Sequence, residues 1–130
     1  MDFNLSGLSS AKRSLESERV KVLILGAGPA GMSAALYAAR AELAPVVLTG
    51  TALGGQASLT HVIENYPGFP EGVGGLELGE LFQQQAERFG ARFEFDTATS
   101  VDLSKRPFTV KTYSKEYLAD VVILTTGASP

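Results

Sequence analysis

The residues with the plainest chemical use are Gly26, Ala27, Gly28, Pro29, Ala30 and Gly31, whose glycines stand at the spacing G-x-G-x-x-G. That spacing suits the pyrophosphate of a dinucleotide. Gly26 allows a tight turn out of a strand, Gly28 lets the main chain approach the phosphates, and Gly31 lets the next helix lie close to the sheet. The N–H groups of the first helical turn then face the phosphates. Pro29 suits the first helical position, because the N–H it lacks is one the helix does not use. A glycine-rich turn without a ligand is the competing reading. The strand before the turn and the helix after it favour a dinucleotide.

Other chemistry finds little support. His61 is the single histidine, and a loop or packing role suits it better than that of a general base. Asp, Glu and His show no metal-ligand spacing, and no serine sits in a nucleophile elbow. The 130 residues contain no cysteine, which excludes disulfides, thiolate metal sites and cysteine nucleophiles within them. The same composition fits cytoplasmic residence. The function is therefore expected to reside in a bound cofactor that the protein positions. The formal net charge is -3 with no basic block, so no nucleic-acid partner is expected. No apolar run reaches the length of a membrane span, so no membrane partner is expected either.

These residues need elements to hold them. Residues 20–25 form a short branched apolar run that reads as a buried strand. Residues 29–41 are alanine-rich and read as a helix, and residues 45–49 as a second parallel strand. Thr49 and Gly50 stand where an NAD-binding fold often places an acid on the ribose, which argues against NAD here. Residues 64–70, ENYPGFP, form a stiff loop. It packs either on protein surface or over a flat cofactor ring. From Leu76 a helical period runs to Phe89 and stops at Gly90, with Phe82 and Phe89 expected in the core. Residues 92–95 read as the third parallel strand. Residues 108–111 belong to an antiparallel excursion turning near 113–116, and Asp102 reads as a surface turn charge. Residues 120–124 read as a buried strand returning to the main sheet. The fold class is α/β, Rossmann-like and three-layered, with a parallel sheet and a small antiparallel meander. Residues 1–19 read as a flexible polar leader with a helical turn near 11–18 and no secretory core.

Taken together, GAGPAG at 26–31, YAARAELAPVVLTG at 37–50, GGQ at 54–56, ENYPGFP at 64–70, QAERFGA at 85–91, VDLSKRPF at 101–108 and TTGA at 125–128 resemble the opening part of bacterial-type, low-molecular-weight thioredoxin reductases. GGQ followed at this distance by ENYPGFP is the specific part of the match. The resemblance implies FAD, not NADPH, at this segment. Gly26, Ala27, Gly28, Pro29, Ala30 and Gly31 match the diphosphate loop, and Thr49 and Gly50 the adenosine-side edge. Gly55, Gln56 and Thr60 match positions beside the flavin, and Asn65 a polar contact at the isoalloxazine. Thr126 and Gly127 match the FAD-facing turn. Thr125 stands where Ala is usual, and Ala98 where a bulkier apolar residue is usual.

On this resemblance, residues 20–126 are the first segment of an FAD-binding domain and 127–130 begin a linker to an absent NADPH domain. The complete enzyme would be a homodimer passing electrons from NADPH through FAD and a CxxC disulfide to thioredoxin. This chain alone is not expected to be active. Without the C-terminal return segment the fold is incomplete, so exposed apolar area and an unpaired sheet edge are expected. Three alternatives stand: a ferredoxin–NADP reductase segment of similar architecture, a cofactor-free Rossmann-like binding or structural domain, and a free-standing NAD module.

Overall fold

The computed structural model describes residues 15–51 and 59–128. Its elements in chain order are β1 (Glu16–Leu25), α1 (Pro29–Arg40), β2 (Val46–Leu48), α2 (Gly75–Arg88), β3 (Arg92–Glu94), β4 (Ser100–Asp102), β5 (Phe108–Lys111) and β6 (Lys115–Leu124). The strands form one sheet in the order β3-β2-β1-β6-β5-β4. β1 runs parallel to β2 and to β6, and β2 parallel to β3, while β5 runs antiparallel to both β4 and β6.

Local chemistry explains the main elements. Val22, Leu23, Ile24 and Leu25 are all buried, as are the three residues of β2, so these parallel strands are covered on both faces. α1 buries Gly31, Met32, Ala35 and Ala39, a stripe at helical spacing made of small side chains and one methionine. In α2, Glu77 stands in the first turn and Arg88 in the last, each complementing the helix dipole. α2 ends as expected at Gly90, which has φ +107°. The Gly90 N–H donates to the Glu87 carbonyl and the Ala91 N–H to the Ala86 carbonyl, the paired bonds of a Schellman motif. That turn delivers the chain directly into β3.

Two clusters make the core. Val22, Ile24 and Val47 from the sheet meet Met32, Ala35 and Ala39 of α1 and Ala86 of α2, with Phe82 partly buried against them. Leu23, Leu25, Val46 and Leu48 meet Val110, Tyr117 and Ala119 of the antiparallel arm. The helices thus cover one side of the parallel strands and the arm covers the other.

Four expectations need correction. β1 begins at Glu16, so residues 16–19 are strand and neither leader nor helical turn; residues 1–14 lie outside the described residues. Polar side chains are tolerated there because β6 pairs with them. Glu18 bridges Arg92 and Lys115, Arg19 pairs with Asp120, and the Ser17 hydroxyl donates to Glu116. Phe89, expected in the core, is 40% exposed. It is the C-cap residue of α2, past the packed stripe, and its ring lies under the Arg40 and Arg88 guanidinium groups. Asp102 does accept from the Ser104 N–H and hydroxyl in a turn, but it also ends an edge strand not anticipated from composition. Finally, residues 120–124 are only partly covered. The first half of β6 lies between β1 and β5, whereas among the described residues the second half pairs with β1 alone. Val121 and Leu124 are 43% and 60% exposed. The expected apolar exposure and open edge are found here.

The Glu18 bridge has a pH signature. Burial pushes the Glu18 carboxyl up, but hydrogen bonds from Arg92 and Lys115 more than offset this and hold it below its ordinary value. A carboxylate depressed in the folded state contributes stability above its unfolded pKa, and that contribution disappears as the pH falls through the folded value. Glu18→Gln should therefore cost about 1 kcal/mol at neutral pH. In urea unfolding, the difference from the parent chain should shrink as the pH drops below about 4.3, the ordinary Glu pKa.

Candidate functional site

The strand order changes direction at β1: the chain crosses by α1 to β2 on one side and returns as β6 on the other. In open α/β sheets a ligand crevice lies at the carboxyl ends of the strands at such a point. Residues 26–31 leave the end of β1, Thr49 and Gly50 leave β2, and Thr126 and Gly127 leave β6. The topology therefore gathers three of the sequence-derived groups at one end of the sheet.

Hydrogen bonds tie these ends together. The Gly26 N–H donates to the Leu48 carbonyl at 3.0 Å and the Thr125 N–H to the Leu25 carbonyl at 2.9 Å. Gly26 and Gly31 have no room for a side chain. A Cβ on Gly26, whose φ is +111°, would lie 2.1 Å from the Thr125 carbonyl oxygen. On Gly31 it would lie 2.0 Å from the Gly26 carbonyl oxygen and 2.7 Å from Thr125 Oγ1. The helix start is pressed against the strand ends, as the spacing implied.

The start of α1 fits an anion. Gly28 is the N-cap residue in extended conformation, and Pro29 opens the helix. Among the described residues, no side chain caps this end and no acidic residue stands in the first turn. The Met32 N–H bonds the Gly28 carbonyl at 3.0 Å, so the N–H groups of Ala30 and Gly31 precede that first helical bond. Together they present the positive end of the helix dipole to the crevice. The paired phosphates of a dinucleotide suit it.

Thr49 plays a supporting part. It is buried, its N–H donates to the Glu94 carbonyl, and its hydroxyl donates to the Gly50 carbonyl at 3.2 Å. The Gly50 N–H donates to the Asp96 carbonyl at 2.9 Å. Burial pushes the Asp96 carboxyl up, and hydrogen bonds from Thr112, Ser114 and the Thr97 N–H bring it below its ordinary value. The end of β2 is thus fixed to the end of β3, a link through Asp96 that local sequence reading missed.

Thr60 and Asn65 form a second group, on the loop leading into α2. The Thr60 carbonyl accepts from the Gly75 N–H, and Ile63 bridges Val73 in both directions. Thr60 and Asn65 are exposed and line one shallow depression with Val62, Ile63 and Glu64. Within the 64–70 loop, Tyr66 sets its ring edge on Phe82 of α2 at 5.3 Å between centroids and meets Phe69 at 6.2 Å. The protein-packing reading of that loop holds for Tyr66. His61 is exposed. Gly55 and Gln56 lie outside the described residues. Among the described residues, no group of His, Asp or Glu could hold a metal, and no helix is long and apolar enough to cross a membrane.

A family model described as "Pyridine nucleotide-disulphide oxidoreductase" matches residues 20–130. This chain belongs to that family. It is 48% identical over 125 residues to "Thioredoxin reductase 1, mitochondrial" of Arabidopsis thaliana, covering 92% of this chain and 33% of that protein. It is 52% identical over 109 residues to the thioredoxin reductase of Vibrio cholerae, covering 84% of this chain and 34% of that protein. The solved thioredoxin reductase of Gloeobacter violaceus superposes with a TM-score of 0.82 at 37% identity, over 86% of this chain and 38% of that one. The chain spans about a third of the length of the curated relatives it matches.

Within this oxidoreductase fold, crowding and backbone conformation make separable demands on glycine. Gly31→Ala must move the Gly26 carbonyl or the helix, and should cost at least about 2 kcal/mol in chemical unfolding. Gly127 has φ +74° but open space around the position of a Cβ. Gly127→Asn, which tolerates that φ, should cost less than about 1 kcal/mol by the same measurement.

Proposed function

We propose that this chain is the FAD-binding segment of a thioredoxin reductase. The observation that carries the reading is the uncapped start of α1, set by Gly26 and Gly31 against the ends of β1 and β6. On this reading the Ala30 and Gly31 N–H groups hold the diphosphate, while Ala27, Gly28 and Pro29 shape the approach to it. Thr49 and Gly50 border the adenosine side. Thr126 and Gly127 face the cofactor from the end of β6, and Thr60 and Asn65 lie toward the flavin, a side to which the sequence resemblance also assigns Gly55 and Gln56. FAD, when bound, supplies a two-electron carrier between NADPH and a disulfide. The chain's own residues bind and orient it and neutralise phosphate charge.

The names of the relatives support the wider reading that the whole enzyme reduces thioredoxin; that it takes NADPH through a second domain and works as a cytoplasmic homodimer is part of the same proposal. The open edge of β6, beside Val121 and Leu124, is where a return segment would add to the sheet. A binding site lacking that segment should be weak.

Flavin titration of the 130-residue chain, followed by amide NMR, tests this. FAD should bind more weakly than about 1 μM and shift the amides of residues 26–31, whereas NADPH should leave them unmoved. Submicromolar affinity would reject the incomplete cradle. Shifts with NADPH and none with FAD would reject the assignment of the turn.

A further inference from the structure

We propose that the Thr125 hydroxyl is a positioning group for the nucleotide-binding turn, latching the end of β6 to residues 25 and 26. The proposal rests on the reading of residues 26–31 as the diphosphate site. Thr125 Oγ1 lies 3.0 Å from the Leu25 carbonyl oxygen and 3.1 Å from that of Gly26. A hydroxyl has one proton, so the two carbonyls share it in a three-centre bond. The same oxygen lies 2.7 Å from the position of a Cβ on Gly31. One side-chain atom therefore bonds the end of β1 and the sharp turn, and takes up space that a side chain at Gly31 would need.

The location gives this contact its weight. Among the described residues the second half of β6 pairs with β1 alone, so the end of β6 is held by a strand on one side only. Thr125 supplies two links at this point, its N–H to Leu25 and its hydroxyl to Leu25 and Gly26. Removing the hydroxyl leaves the N–H link and the strand pairing in place, so the chain stays folded. What loosens is the orientation of the Gly26 peptide, and with it the aim of the Ala30 and Gly31 amides. Thr126 and Gly127 follow immediately, so the latch also sets the opposite wall of the crevice against the turn. Thr125 touches no phosphate in this scheme; it acts through the main chain of its neighbours.

Hydrogen exchange of the parent chain, Thr125→Val, Thr125→Ala and Thr125→Ser reads the latch directly. Val keeps the branch without the hydroxyl, Ala removes both, and Ser keeps the hydroxyl. In Val and Ala, the bonded amides of Gly26 and Met32 that flank the turn should exchange about fivefold faster, the loss of one hydrogen bond, while protection in β2 and α2 stays unchanged. FAD affinity should weaken by a similar factor. Ser should match the parent in both. The proposal is overturned if Val and Ala exchange and bind like the parent, if Ser behaves like them, or if protection falls evenly across the chain. Should the parent take up no FAD, the assigned cofactor is lost, while the exchange comparison still decides the latch.

Discussion

The carbonyl of Gly26 occupies the space that any side chain on Gly31 would need, and this contact fixes how closely α1 approaches the sheet. Helix axes pack nearer to a neighbour when the facing side chains are small. α1 continues that theme with Ala35 and Ala39 on the buried stripe beside Met32. The close approach lets Val22, Ile24 and Val47 pack with the helix, and Ala86 of α2 belongs to the same cluster. The helical layer therefore inherits its position from a contact at the mouth of the crevice.

On the proposed reading, the same end of α1 trades stability for binding. A Ser, Thr, Asp or Asn at the N-cap would typically stabilise a helix by about 1 kcal/mol. Gly28 stands there instead, and the first turn carries no acid. A capping side chain would occupy the amides that a phosphate needs. Local rules of this kind are broken at functional sites and compensated elsewhere. Here the compensation is visible in the strand ends, where Gly26, Thr49, Gly50 and Thr125 all have their N–H groups bonded to neighbouring carbonyls.

What was legible in the sequence follows from the range of the forces. The glycine spacing, the buried run before it, the alanine-rich helix and the stop at Gly90 depend on residues a few positions apart, and all appear as read. Residues 16–19 lacked any local signal for a strand, because the partner that makes them one lies 99 positions away, as with Ser17 and Glu116. Phe89 followed the helical period but falls at the cap, where the stripe no longer faces the core. The choice of Thr at 125 was visible as an added hydroxyl and branch, yet its acceptors came into view only when β6 lay beside β1. Thr49 and Gly50 stand out in the sequence for the acid they replace, and their anchoring through Glu94 and Asp96 depends on the third strand.

β6 is continuous from Lys115 to Leu124, but its two halves live in different surroundings. The first is clasped between β1 and β5, and the second leads into one wall of the crevice while, among the described residues, its outer edge is unpaired. Thermodynamic linkage ties those two facts together. Whatever adds a strand along that edge steadies Thr125 and the residues after it, and so raises affinity for a ligand in the crevice. By reciprocity, a ligand seated there would make the edge a better template for any strand that adds to it.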